Sequence, residues 1–132
     1  MKIKFYDTSS LLKQVDTLFD IDEEIAVSSI TFEELENIKT SSNKDADVKY
    51  AARKLLHLLD NNIGKYTTII YQEKFLKPIK KRDLSITNDT KILSCAIELA
   101  KSNEVIFVTN DLALKHIAML FFPTVESVVV EV

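Results

Sequence analysis

The sequence predicts a three-layer α/β/α domain in which helices cover both faces of a central parallel sheet of about five strands. Short apolar or β-branched runs alternate along the chain with segments whose apolar residues recur at helical spacing. One glycine and two prolines leave few tight turns, which disfavours an all-β sandwich built from hairpins. The length of 132 residues fits one domain that spans residues 1–132.

Residue types and spacing in the first half of the chain predict two strands and three helices. Strands are indicated by short apolar runs, and helices by apolar residues three or four positions apart. In order, these elements are a strand at 3–6, a helix with apolar residues from 11 to 19, a strand at 24–28, a helix capped by Ser28 or Ser29 that continues through ITFEELENIK, and a helix from 45 or 46 to about 59. Gly64 then suits a left-handed position after the third helix.

The second half of the chain continues the alternation of strands and helices. The run YTTIIY is β-branched and aromatic, and EVIFVT is the strongest strand candidate in the chain. In order, the elements are a strand at 66–71, the polar and basic connection EKFLKPIKKRDLSITN, a helix from 88 or 89 to 100, a strand at 104–109, a helix at 112–120 and a strand at 125–132. Alternation of this kind implies a parallel sheet with right-handed crossovers.

Composition limits the compartment and the partners that we expect. The net charge of −3 creates no basic field over the whole molecule, so any nucleic-acid contact needs a local basic patch. The single cysteine, Cys95, fits a reducing compartment. No apolar stretch approaches the length of a membrane span, and no targeting segment is visible, so we expect a cytoplasmic protein with no membrane partner.

Acids at the ends of predicted elements suggest a site. Asp7 follows the first strand, and Asp111 lies just after the fourth, so both belong to the carboxyl edge of the sheet, where ligands collect in open parallel folds. Asp89 begins a helix that can enter from the same edge. Each acid taken alone is more often a turn or capping residue, and Asp89 in particular suits a helix cap. Their shared edge is what favours a site.

A fourth acid is expected from the helix after the second strand, where three glutamates compete. At about 100° per residue, the apolar stripe of this helix contains Phe32 and Leu35. Glu33 points away from that stripe and is expected in solvent. Glu34 and Glu36 flank the stripe on opposite sides, and the helical pattern does not choose between them.

Four carboxylates at one edge would repel one another without a cation. Oxygen-only ligands suit Mg²⁺ or Mn²⁺ better than zinc, and such ions commonly serve phosphoryl chemistry by orienting the phosphate and activating a water. The two histidines, His57 and His116, lack zinc-site spacing and are expected to be ordinary helix residues.

The motifs around these acids resemble those of the PIN domain, a small metal-dependent nuclease fold. YDTSSLL is similar to the family's opening strand and turn, and the Glu directly before Leu in ITFEELENIK selects Glu34 over its neighbours. NDTKILSCAIELA resembles the helix that the third acid opens, which matches Asp89, and the Thr-x-Asp of VIFVTNDLALKHIA matches the fourth acid to Asp111. The EEL-x-x-x-K segment, AARKLL and the Thr-Asn-Asp turn look most like PIN domains fused to PhoH-type ATPases, although this sequence contains no Walker A motif.

The resemblance implies a Mg²⁺- or Mn²⁺-dependent endoribonuclease that acts on single-stranded RNA. Its catalytic and metal-binding residues would be Asp7, Glu34, Asp89 and Asp111. Polar support would come from Thr8, Thr109 and Asn110, whereas Ser9 is expected to serve ordinary turn chemistry. An ATPase or an antitoxin-type regulator would be its protein partner.

RNA held against an acidic cleft requires nearby positive charge and, for unpaired bases, stacking surfaces. Tyr71 or Phe75 could stack on a base. A homodimer is also possible, with apolar residues near Phe121 and Phe122 contributing. We expect the connection before the Asp89 helix to lie close to the carboxyl edge of the sheet. The basic candidates for RNA binding are Lys77, Lys80, Lys81 and Arg82 in this connection and Lys39 at the end of the Glu34 helix, with Lys44, Lys49, Arg53 and Lys54 beyond that helix.

Two other functions compete with the nuclease hypothesis. A phosphoacceptor receiver domain needs an acidic pair after the first strand, but Asp7 stands alone between Tyr6 and Thr8, so this hypothesis is disfavoured. A catalytically silent PIN-like module for RNA binding or protein interaction is the second alternative. The presence of all four acids argues against it.

Overall fold

A five-stranded parallel sheet lies at the centre of the computed structural model, which describes residues 2–20 and 22–129. The strands are β1 (Lys2–Tyr6), β2 (Glu24–Ser28), β3 (Thr67–Ile69), β4 (Glu104–Val108) and β5 (Val125–Glu126). Their order across the sheet is β3-β2-β1-β4-β5, and every neighbouring pair is parallel. The predicted three-layer α/β/α fold class is confirmed.

Six α-helices connect these strands in the described part of the chain. They are α1 (Thr8–Lys13), α2 (Ser29–Thr40), α3 (Ala46–Asn61), α4 (Lys77–Lys81), α5 (Asn88–Ala100) and α6 (Leu112–Ala118). The predicted boundaries of α2, α3 and α5 agree with the structure to within two residues. Ser28 caps α2 by accepting a hydrogen bond from the Ile30 amide, as its position before the helix predicted.

The two faces of the sheet bury separate cores. Phe5 and Phe107, on adjacent strands, stack at 6.2 Å between ring centroids and pack with residues of α4, α5 and α6. The next residue along each strand, Tyr6 and Val108, faces the opposite core with residues of α1, α2 and α3. Alternation of side chains along a strand therefore sends neighbouring residues into different layers.

Several elements differ from their predicted extents. Helix α1 ends at Lys13, and the buried Leu18 lies in the turns that follow it. The connection after β3 is not simply a loop, since it contains a 3₁₀ turn at Glu73–Leu76 and the short helix α4. Strand β5 has only two residues, and 130–132, the end of the predicted last strand, lie outside the described residues. Gly64 has a φ of 99°, as its predicted left-handed position requires.

The switch in strand order falls between β1 and β4, and it positions the acids. Tyr6 and Val108 are paired in register, so the residues that follow them leave the sheet side by side. The Asp7 amide donates to the Val108 carbonyl oxygen at 3.0 Å, which extends the pairing by one residue. A crevice outside the strand ends at such a switch point is where open parallel sheets bind ligands.

Helix length and polarity also bear on membrane insertion. Among the described residues, no helix combines the length and the apolar character that crossing a membrane requires.

Candidate active site

Asp7 is the most enclosed of the four candidate acids, with a relative exposure of 2%. It caps α1, and its Oδ1 accepts hydrogen bonds from the Ser10 amide at 2.9 Å and the Ser10 hydroxyl at 2.8 Å. The Ser9 hydroxyl lies within 3.0 Å of both carboxylate oxygens, and the Thr109 hydroxyl donates to Oδ2 at 2.5 Å. The carboxylate is therefore fixed by donors from two segments that are about a hundred residues apart in the chain.

Burial and hydrogen bonding act in opposite directions on the Asp7 carboxyl group. Burial raises its pKa above the usual value, and the donors from Thr109, Ser10 and Ser9 lower it by a smaller amount. The net pKa is raised, so ionising this carboxyl group lowers the stability of the folded protein. The Ser10 amide and three hydroxyl groups donate to this side chain, and such a set of donors suits an ionised carboxylate. A protonated carboxylic acid accepts fewer hydrogen bonds and would leave some of these donors without an acceptor.

Glu34 is the glutamate of α2 that faces the other site residues. The Thr8 hydroxyl, directly after Asp7, donates to Glu34 Oε1 at 2.7 Å. Glu33 is exposed, and Glu36 forms an ion pair with Lys39 at 3.0 Å. The structure therefore brings Glu34, and neither neighbouring glutamate, into contact with the segment that carries Asp7.

Asp89 is half-buried at the second position of α5, and its side chain is not the helix cap. The cap is Thr87, which accepts from the Thr90 amide at 3.2 Å while the Thr90 hydroxyl accepts from the Thr87 amide at 2.8 Å. The expectation that Asp89 suits the cap is therefore wrong, because a Thr-x-x-Thr capping box two residues earlier already satisfies these donors. The Asp89 carboxylate remains available to the cleft.

The charge environment of Asp89 shows which residues surround it. Burial, followed by the charges of Asp111, Glu34 and Asp7 in that order, raises the pKa of its carboxyl group to about 6. No described ion pair joins any of these four acids to a lysine or arginine. The four predicted acids thus share one electrostatic neighbourhood that the described basic side chains leave uncompensated.

Asp111 closes the site from the β4 side. Its side chain caps α6 by accepting from the Leu114 amide at 3.0 Å, and its own amide donates to the Thr109 hydroxyl at 3.0 Å. Because the same Thr109 hydroxyl donates to Asp7, one side chain links both acids at the switch point. Thr109, expected from the sequence to add polar support, thus forms hydrogen bonds with both residues.

The side chain of Asn110 binds the residues that follow β5. Its side-chain amide pairs with the backbone of Val128, donating to the carbonyl oxygen and accepting from the amide at 2.9 Å each. The Ser127 hydroxyl donates to the Thr109 carbonyl oxygen at 2.8 Å in the same region. Hydrogen bonds therefore hold the residues after β5 against the loop that carries Asp111.

A divalent ion fits the chemistry of this donor set, although its ligands are not assembled. Carboxylate and hydroxyl oxygens are the ligands that Mg²⁺ and Mn²⁺ prefer. Within residues 2–20 and 22–129, no three acidic, histidine or cysteine side chains converge closely enough to hold one ion. Glu34, Asp89 and Asp111 would have to rotate toward a shared centre. Asp7 would have to give up a hydroxyl donor to offer a free lone pair.

The basic connection lies farther from the acids than the sequence suggested. Lys77 and Lys81 line a cavity together with Glu98 and Lys101, at the C-terminal end of α5, whereas Asp89 is at its N-terminal end. The expectation that this connection lies close to the carboxyl edge is wrong for these lysines, because α4 packs beside the far end of α5. Lys80 pairs with Glu73 at 3.8 Å, and Arg82 lies over the Phe121 ring at 5.1 Å.

The two aromatic candidates for base stacking have different surroundings. Phe75 is 8% exposed and belongs to the core, so the structure does not present it to a ligand. Tyr71 is half-buried, with the Lys91 ammonium 5.5 Å from its ring centroid. Only Tyr71 retains a surface that a base could reach.

Sequence reasoning missed two buried hydroxyl residues that organise the acids. The Ser10 Oγ lies 2.8 Å from Asp7 Oδ1 and 2.9 Å from the Val108 carbonyl oxygen. Thr31 is fully buried, with its Oγ1 3.1 Å from the Thr8 Oγ1 that binds Glu34. Thr31 lies one helical turn before Glu34, and this spacing was the available signal. Nothing local in the sequence marks Ser10 apart from its place in the YDTSSLL turn.

The fold and the site together define a class: a parallel α/β/α domain with four carboxylates from separate elements at its switch point. A comparison with family models places the chain in a particular family, since the PIN domain model matches residues 5–126. The chain belongs to the PIN domain family. Members of this family are generally nucleases that use divalent metal ions.

Solved structures with the same fold include archaeal and bacterial proteins. PAE2754 from Pyrobaculum aerophilum has a TM-score of 0.63 and 18% identity over 94% of this chain and 82% of that one. VapBC-5 of Mycobacterium tuberculosis, a member of a toxin–antitoxin family, has a TM-score of 0.60 and 18% identity over 97% and 98%. VapBC2 from Rickettsia felis, bound to a promoter DNA fragment, has a TM-score of 0.55 and 19% identity over 95% of this chain and 96% of that one. No curated protein sequence matches the chain significantly.

Proposed function

We propose that this chain is a divalent-metal-dependent endoribonuclease that hydrolyses phosphodiester bonds of single-stranded RNA, with residues 1–132 acting as one nuclease domain. The observation that carries the proposal is the grouping of the four acids: Thr109 links Asp7 to Asp111, Thr8 binds Glu34, and the charges of all three contribute to the raised pKa of Asp89, about 6. A fold that keeps four acids together without a described basic partner gains from a cation between them. Such a cation, Mg²⁺ or Mn²⁺, would supply charge neutralisation and polarisation of a phosphate oxygen.

The chain's own residues would divide the work according to their surroundings. Asp7, held by three hydroxyl side chains and one amide, would fix one side of the ion's site. Glu34, turned inward by Thr8, and the uncapped Asp89 would approach from the helices. Asp111, which is anchored by the start of α6, would close the remaining side.

The proposed partners follow from the comparisons and the exposed surface. Toxin–antitoxin proteins among the structural neighbours lead us to propose an antitoxin-type regulator, and the PhoH-like motifs lead us to propose an ATPase as the alternative. For a homodimer, Phe122 is excluded because it is buried against Phe107, at 6.0 Å between centroids. The adjacent Met119 and Leu120 are about half exposed and would take its place. We place this activity in the cytoplasm.

One structural observation favours a silent PIN-like RNA-binding or interaction module as the second candidate. The carboxylate oxygens of Asp7 already receive hydrogen bonds from Ser9, Ser10 and Thr109, which leaves little room for a metal ligand. Such saturation is also what a purely structural helix cap would show. Cleavage assays separate the two candidates directly.

The test is cleavage of a fluorescent single-stranded RNA with Mn²⁺ or Mg²⁺, comparing wild type, Asp89→Asn and Asp111→Asn. Both variants keep side-chain shape, and asparagine still caps α6. Asp47→Asn is a matched control, because Asp47 also occupies the second position of a helix but is not one of the four candidate acids. We expect a loss of at least about 100-fold in both site variants, and a change of less than about twofold in the control. Cleavage that persists in EDTA would contradict the metal requirement, and absence of cleavage with either ion would favour the silent module.

A further inference from the structure

Basic side chains concentrate around α4, on a surface that the proposed active site does not use. Five of the 17 lysines and arginines of the chain fall within residues 74–82, and Lys101 lies beside them. We call this set the α4 basic surface. Its members are Lys74, Lys77, Lys80, Lys81, Arg82 and Lys101.

Few acids neutralise the α4 basic surface. Lys80 pairs with Glu73 at 3.8 Å, and Lys101 pairs with Glu98 at 2.8 Å. Within the described residues, no carboxylate lies within ion-pair distance of Lys74, Lys77 or Lys81. These three ammonium groups therefore face solvent as an uncompensated positive charge on a molecule whose net charge is −3.

The shape of the α4 basic surface suits an extended anion. Its lysines border a groove together with Glu73, and the groove is lined mainly by their aliphatic stems. A second groove continues past Lys77 and Lys81 to Lys101. Lysine stems that form an apolar floor with ammonium groups at the rim can hold both the phosphates and the less polar parts of a strand.

The distance from the α4 basic surface to the acids follows from the length of α5. Asp89 is the second residue of this helix, and Lys101 follows its last residue. Twelve residues at 1.5 Å each separate them by about 18 Å along the helix axis. A stacked single strand rises about 3.4 Å per nucleotide, so roughly five nucleotides bridge that distance.

We propose that the α4 basic surface is a remote RNA contact, which holds the substrate strand about five nucleotides from the bond that is cut. The inference rests on the proposed function and adds a requirement for substrate length. The acidic edge repels a polyanion, so affinity has to come from cations elsewhere, and this surface is the densest cluster of them. An acidic protein segment is the competing ligand, but the apolar floor that the lysine stems form between the charges suits the sugars and bases of a strand better.

The experiment compares wild type with the double variant Lys77→Gln/Lys81→Gln. Both lysines are exposed, so the fold is expected to persist, and an unchanged melting temperature checks this. Lys13→Gln/Lys65→Gln is the matched control, since it removes the same charge from exposed lysines outside the surface. The probes are fluorescent oligouridylates of four and twenty nucleotides, tested for binding without metal and for cleavage with Mn²⁺.

We expect the double variant to bind and cleave the 20-mer about tenfold less well, while its weak binding and cleavage of the 4-mer equal those of wild type. The slope of log affinity against log salt for the 20-mer should fall by about 1.4, or 0.7 per lost contact. The control variant should match wild type on both probes.

Two results would overturn the inference. The first is a double variant that binds the 20-mer like wild type; if it also loses binding of polyglutamate, the surface belongs to an acidic protein. The second is an equal loss on both lengths, which would place the lysines at the cleavage site. Failure of the proposed function appears separately, as absence of cleavage by wild type, and the metal-free binding comparison still decides the inference.

Discussion

Asp7 and Asp89 occupy the same candidate site but are held in opposite ways. Asp7 is buried and receives hydrogen bonds from Ser9, Ser10 and Thr109, which join β1 to the loop after β4. Asp89 is half-buried beside three other acids, and its helix is capped by Thr87. One carboxylate is surrounded by donors and the other by negative charge.

This difference indicates that Asp7 and Asp89 have different roles, one in holding the fold together and the other in binding a ligand. Burial raises the pKa of both groups, but hydrogen bonds lower that of Asp7, whereas nearby charges raise that of Asp89 further, to about 6. Asp7 thus contributes contacts that hold two strand ends together. Asp89 contributes charge that the folded protein alone does not stabilise, as expected of a residue kept for a ligand.

Replacing Asp7 should produce the largest effect. Asp7→Asn removes the charge that the Ser10 amide and the hydroxyls of Ser10 and Thr109 bind, and it places an amide donor among them. We expect the free energy of unfolding at pH 7 to fall by about 3 kcal/mol, measured by urea denaturation. Asp111→Asn, which retains its cap acceptor, should lose less than about 1 kcal/mol. An Asp7→Asn protein as stable as wild type would show that relief of the buried charge offsets the cost of placing an amide donor among these donors.

Metal binding should have the next largest effect, and it acts on Asp89. If Mn²⁺ binds only the folded protein, a Mn²⁺ concentration about 100 times the dissociation constant stabilises the fold by about 2.7 kcal/mol. The melting temperature should therefore rise with Mn²⁺ at pH 7. The rise should shrink below about pH 6, where protons compete for Asp89. Asp47→Asn should respond like wild type and Asp89→Asn much less. No rise at millimolar Mn²⁺ would count against the site.

Asp89→Asn without metal should have a smaller effect, of opposite sign to that of Asp7→Asn. The folded-state pKa of Asp89, about 6, lies above its ordinary value of 3.8, so ionising it costs the folded state stability. This cost is absent below pH 3.8, grows between pH 4 and 6 and is constant above. We expect Asp89→Asn to stabilise the protein by about 1 kcal/mol at pH 7, after allowing for solvent screening, and by nearly nothing at pH 4. An equal gain at both pH values would contradict the electrostatic cause.

The parts of the fold that follow from local chemistry were predictable from the sequence. Helix α2 has an apolar stripe and a serine cap, and β4 is a continuous apolar run, so both were located by pattern. Helix α4 was missed because five residues are too short for a recognisable stripe. Helix α1 was predicted too long, because Leu18 reaches the core from a turn as well as it would from a helix.

The candidate site was predictable to the extent that strand ends determine it. The sheet edge grouped Asp7 with Asp111, but the α2 pattern left Glu34 and Glu36 tied. The hydrogen bond from the Thr8 hydroxyl gives a physical reason to assign Glu34 to the site, whereas Glu36 forms an ion pair with Lys39. That contact joins residues 26 positions apart, and no local pattern encodes it. The distance of the α4 lysines from the acids also depends on packing between separate elements, so the sequence pattern did not predict it.

The smallest expected effect concerns Thr8 and Thr31, which extend the hydroxyl support of Asp7 to Glu34. A hydroxyl carries one proton, so Thr8, 2.7 Å from Glu34 and 3.1 Å from Thr31, gives it to the carboxylate. Thr8→Val removes the hydroxyl donor that orients Glu34 and should lower kcat by about tenfold, with a loss of about 1 kcal/mol in stability. Thr8→Ser should restore kcat, since it keeps the donor.

Thr31→Val, which leaves the Thr8–Glu34 hydrogen bond in place, should change kcat by less than about threefold. RNA cleavage under single-turnover conditions, together with urea denaturation, measures both quantities. Equal losses of kcat in Thr8→Val and Thr31→Val would show that the pair acts as one network. Glu34 would then be held by donors in the same way as Asp7, and the contrast with Asp89 would extend to two acids of the site.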